Sequence, residues 1–171
     1  FILGKTEPGS EVFIDKKKIR VTTEGLFAFG LGRDRKNDIV ILINNKKIIK
    51  KVLKRKYNIQ RIDGLEKEKV TPPEEVYERI KRENKWIGEA RGINTDLVFF
   101  KNKFSIPVEN AIITGVYGSQ RILNGESKWP HYGLDFAAKE GTKIKAMLDG
   151  IVTLAEPDLF YTGGTLIFDH G

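Results

Sequence analysis

The sequence contains no cysteine and only two histidines among its 171 residues. Without cysteine there is no disulfide framework and no thiolate metal site, so any metal ion must be held by His, Asp or Glu. A cysteine-free chain is compatible with the cytoplasm and with an oxidising compartment alike. Long apolar runs are missing as well, and none approaches the roughly 18 residues needed to cross a bilayer as a helix. No signal peptide is legible. The sequence opens on Phe1 rather than Met, which is compatible with the removal of a preceding segment.

Hydrophobic residues make up 40% of the chain and charged residues 31%, a globular composition rather than a disordered one. The net charge of +7 is local. Segment Lys46–Lys56, KKIIKKVLKRK, holds seven basic residues and no acidic one, while the other 23 basic residues balance the 23 acidic ones. The excess is therefore one patch, not a field over the whole surface.

A chain of this length can form one ordinary domain or two small ones. Its pattern predicts a mainly β protein in three parts. Over residues 1–64, EVFIDKKKIRVT, GLFAFGLG and NDIVILINN are short runs bounded by turn residues, as in a small β-sandwich-like module. Lys46–Lys56 fits either a strand or one face of a helix, and its continuation into YNIQRI favours a strand. Residues 65–105 form a helical connector: Thr71 is a suitable N-cap, Pro72 fits the first helical position, and Glu74 completes a capping box. Val76, Ile80, Ile87 and Ala90 mark its buried stripe, and Gly92 ends it. From Asn94 the pattern returns to strands in DLVFF, AIITGVYG, TKIKAML, GIVTLA and GTLIFDHG, so residues 106–171 are expected to build an antiparallel sheet. The pattern breaks off on His170-Gly171, and the chain is expected to continue past that point.

Chemistry concentrates in WPHYGLDFAAKEG, where His131 and Asp135 stand four residues apart. In an extended strand their α-carbons would lie about 13 Å apart. Donor atoms on a tetrahedral zinc ion are only about 3–3.5 Å from each other, given metal bonds of about 2.0–2.2 Å. The chain between them must therefore bend, and Gly133 supplies the freedom to do so, while Pro130 restricts the approach and disfavours a helix. Alone, the pair is a weak signal.

Its surroundings carry more. The order Gly118 to Arg121, then His131 and Asp135, then Gly141 to Ala146 (GTKIKA), then Asp149 to Val152 (DGIV) resembles the N-terminal half of the lysostaphin/LytM-type peptidoglycan metallopeptidases. The resemblance is clear over residues 106–171. It extends back to about residue 57, where the sequence is similar to the leader region of Gram-negative members. The family implies one Zn2+ ion on three protein ligands and a water, with His131 and Asp135 as the first two ligands. The third ligand and the catalytic histidines belong to a later His-x-His region and neighbouring strand, so the resemblance places no catalytic residue in this chain and implies that it is inactive by itself. His170 matches a strand-closing His-Gly pair, not a ligand. A bacterial, periplasmic location and peptidoglycan as partner follow from the same resemblance.

Other readings stay open. Arg121 and Asn124 either line a substrate groove or shape a turn, while Trp129 and Tyr132 either border that groove or pack on the core. Intact ligands argue for an enzyme, but a catalytically inactive relative that regulates another wall hydrolase would share this fold. The Lys46–Lys56 patch allows contact with an anionic envelope polymer, a membrane surface or nucleic acid. Nucleic acid is not expected as a partner, because Tyr57 is the only aromatic at the patch and base stacking needs more.

Overall fold

The computed structural model describes residues 1–65 and 72–171. The protein is mainly β, with a single α-helix among the described residues. It divides into two compact units, Phe1–Lys56 and Tyr57–Gly171.

The first unit joins a two-stranded ribbon to a four-stranded antiparallel sheet. Strands β1 (Ile2–Lys5) and β4 (Leu26–Phe29) form the ribbon. The sheet runs in the order β3-β2-β5-β6, from β2 (Val12–Ile14), β3 (Lys17–Ile19), β5 (Ile39–Ile43) and β6 (Lys46–Lys50). Two-residue turns close its hairpins, with positive φ at Asp15 and Lys16 and again at Asn44 and Asn45. That geometry matches the right-handed twist of the flanking strands. Alternation along β2 and β5 turns Val12, Ile14, Ile39 and Ile41 inward, where they meet Phe27 from the ribbon. Burying each such side chain contributes about 1.5–3 kcal/mol. Gly4 faces Phe27 across the ribbon, and any side chain there would collide with the ring. The basic segment is a strand only as far as Lys50; residues 51–58 have no regular structure.

In the second unit, β7 (Ile59–Ile62) pairs in parallel with β9 (Gln120–Leu123), and β10 (Glu126–Ser127) extends the same sheet. A boundary at residue 64 therefore falls too late, because Ile59–Ile62 finds its ladder in the second unit. Helix α1 spans Tyr77–Gly92 after a 3-10 turn at Glu74–Val76. Thr71 lies outside the described residues, Pro72 stands before the helical turn, and Pro73 occupies the N-cap without a side-chain bond. The stripe of Val76, Ile80, Ile87 and Ala90 is sheltered, with Glu83 buried among them at 5% exposure.

Glu83 explains why α1 is not a free connector. Its carboxylate accepts the Phe160 amide at 2.7 Å and Arg79 Nε at 2.6 Å. Arg79 Nη2 in turn reaches the carbonyl of Asp158 at 2.8 Å and its carboxylate at 3.0 Å. Phe160 and Asp158 lie at the tip of the long hairpin β12 (Ile151–Leu159) and β13 (Gly163–Asp169). Two expected strands are absent. DLVFF instead leads into a 3-10 turn at Phe99–Lys101, fixed by Phe100 N–H donating to the His170 carbonyl at 3.0 Å. TKIKAML is irregular, held by separate bonds from Ser105 N to Met147 O and from Lys145 N to Pro107 O. No helix among the described residues is long and apolar enough to cross a membrane.

Candidate metal centre

His131 lies in an irregular stretch between β10 and β11 (Asp135–Ala137), yet its backbone is pinned on both sides. Its N–H donates to Ser119 O at 2.8 Å, and its carbonyl accepts Gly118 N–H at 2.7 Å. Gly118 has a φ of +90°, and a side chain there would run into the Tyr57 ring. The sequence element Gly118 to Arg121 thus serves first as a tight turn that holds the histidine. Asp135 opens β11 opposite Gly115 of β8 (Ile112–Gly115), and the register slips between Asp135 and Phe136. Such a bulge re-aims the side chain beside it. Gly115 makes room, since a side chain there would meet the Asp135 carboxylate.

The outcome is a close pair. His131 Nε2 stands 3.1 Å from Asp135 Oδ1, within the donor separation of about 3–3.5 Å on a tetrahedral zinc ion. On its other side the ring places Nδ1 3.3 Å from the Val116 carbonyl. A carbonyl can only accept, so this contact suits the tautomer that carries its proton on Nδ1 and presents the Nε2 lone pair to the carboxylate side. Two lone-pair atoms at that distance need a cation shared between them, either a proton or a metal ion. Metal-bound histidines commonly use such a second bond to fix ring and tautomer. The side chains are 31% and 61% exposed, so the pair opens to water. The residues present fit two adjacent positions of a tetrahedral ion. No group of three potential ligands forms among the described residues.

His170 is engaged elsewhere. Its Nδ1 donates to the Asp149 carbonyl at 2.7 Å, and its ring stacks on Phe168 and meets the edge of Phe104. Gly150 leaves space for that ring. The Asp149–Val152 turn and His170 therefore brace each other.

No family model and no curated protein matches this chain.

The pair borders an open cleft of about 860 Å³. Arg121 lines it from β9, and its guanidinium makes no ion pair among the described residues. Asn124 does not line it. With a φ of +49°, it forms the β9–β10 turn with Gly125. Its side-chain amide donates to Leu65 O at 2.7 Å and accepts Leu65 N–H at 3.0 Å. Its side chain ties that turn to Leu65. Trp129 and Tyr132 are not core residues: they are 88% and 59% exposed and both border the cleft. Three contributors carry no usable signal in the sequence alone. The Val116 carbonyl has no side-chain signature, Gly115 is legible only once its partner is known, and Tyr161 reaches the cleft from the distant β12–β13 turn.

Proposed function

We propose that this chain carries the ligand-bearing start of a zinc-dependent endopeptidase that hydrolyses peptide cross-links of bacterial peptidoglycan in the periplasm. The observation that carries the reading is the His131–Asp135 donor pair at 3.1 Å, with the imidazole turned by Val116. The ordered motifs around it, similar to those of the lysostaphin/LytM-type peptidases, support the choice of zinc and of substrate. A zinc ion bound there would polarise the scissile carbonyl and acidify its bound water toward a pKa of about 7.

The chain's own residues have simpler roles. His131 Nε2 and Asp135 Oδ1 supply two donors and one negative charge, leaving a divalent ion net positive. Arg121, exposed in the same cleft, offers a planar fork that suits a carboxylate of a stem peptide. A third ligand has to come from outside the described residues.

Zinc content of the intact natural protein, measured beside His131→Ala, tests the reading. About one zinc per chain, lost in the variant, is the expected result. No zinc in the wild type, under conditions that do not strip metal, refutes the enzyme and leaves a regulatory wall-binding protein as the better account.

A further inference from the structure

The basic segment belongs to the first unit, and its exposed residues include more than charge. Along β6, Ile48 packs on the core, while Lys47 and Ile49 project from the opposite face of the sheet. Their ladder partners there are Leu42 and Val40. Ile49 is 58% exposed and Val40 36%. Beyond the strand, Val52 anchors the chain through its N–H to Asp38 Oδ1 at 3.1 Å and through its core contact. Leu53 is then left 81% exposed. Lys47 shares the outer face with Ile49, and Lys51 and Lys54 flank Leu53 along the chain; all three are exposed and form no ion pair among the described residues.

We propose that the Lys46–Lys56 edge of the first unit docks on an anionic lipid bilayer, with Ile49 and Leu53 entering the headgroup region between lysines. Charge complementarity selects an anionic surface, because seven cations stand here without an acidic residue in the segment. The aliphatic residues select lipid over a hydrated polyanion. Leucine and isoleucine gain by leaving water, and a polyanion offers them nowhere to go. Lysines on an edge strand also guard against strand-to-strand aggregation. That role accounts for β6 but not for Leu53 and the lysines that follow the strand.

The test is flotation of the full chain with vesicles of phosphatidylglycerol and phosphatidylcholine, against phosphatidylcholine alone, with soluble polyphosphate as a separate ligand. Binding only to the anionic vesicles is expected. Each of Lys47→Gln and Lys51→Gln should weaken it about fivefold. The double variant I49S/L53S should weaken vesicle binding about tenfold or more and leave polyphosphate binding unchanged. Both replaced residues are exposed, and a thermal melt checks that the variant still folds. No vesicle binding, or binding that I49S/L53S leaves intact, overturns the proposal in favour of a polyanion site or a solubility guard. His131→Ala should have no effect, so this inference fails or stands apart from the metal reading.

Discussion

An imidazole can present either ring nitrogen to a metal, and at His131 the Val116 carbonyl beside Nδ1 favours presentation of Nε2. The carboxylate partner is placed by the absence of a side chain at Gly115. Gly115→Ala therefore pushes Asp135 away with no demand for a positive φ at position 115. If the pair holds zinc as proposed, zinc affinity should fall by roughly ten- to a hundredfold, the usual cost of disturbing a ligand's support, while the unfolding midpoint changes little. Asn124→Ala should do the reverse. It removes two hydrogen bonds to Leu65 and puts alanine at a φ of +49°. Stability should drop by about 1–2 kcal/mol in urea unfolding, with zinc content unaffected. A drop in zinc without loss of stability in the Asn124 variant would restore that residue to the site.

At the scale of elements, a carboxylate in the buried stripe of α1 holds the helix to a hairpin. Hydrogen bonding from the Phe160 amide, aided by Arg79, holds the Glu83 carboxyl below the usual glutamate value near 4.5. A group with a depressed native pKa stabilises the fold above its unfolded pKa, and that contribution is lost as pH falls through the native value. Acid unfolding of the wild type should thus include a Glu83 component starting below about pH 5. Glu83→Gln, which keeps the shape but not the charge, should be less stable at neutral pH and show a shallower loss on acidification. Identical acid profiles would deny Glu83 this role. The helix itself was legible from its stripe and Gly92, but its partner was not. Periodicity records which face is buried, whereas Phe160, 77 positions away from Glu83, has no local signal. The same limit explains TKIKAML: its alternation predicts a strand, but a strand also needs a neighbour, and here the backbone bonds go singly to Ser105 and Pro107. The His131–Asp135 spacing showed that a bend was required, whereas the 3.1 Å approach depends on Gly115, Gly118 and Ser119, which only the folded chain brings there.

For the whole molecule, the decisive feature is that two compact units meet in sequence at Lys56 and Tyr57. The chain on either side of that junction, residues 51–58, has no regular structure. Lys54, Arg55 and Lys56 are exposed there, and an irregular, exposed backbone is where proteases cut first. Brief trypsin treatment of the native chain should therefore cleave within Lys54–Lys56 before any site in the flanking sheets. Mass spectrometry should find an N-terminal fragment that retains the Val12–Phe27–Ile41 core and a fragment that begins at or near Tyr57. First cuts scattered through β2 to β5 would show that the first unit lacks independent order. Anionic vesicles add a second condition, because the same residues supply the proposed docking edge. A bilayer seated on Ile49 and Leu53 should slow this cleavage, while trypsin in the same vesicles should cut a small soluble peptide substrate at its normal rate. Slowed cutting of both would point to trypsin binding the vesicles, and no protection of Lys54–Lys56 would argue against docking by the Lys46–Lys56 edge.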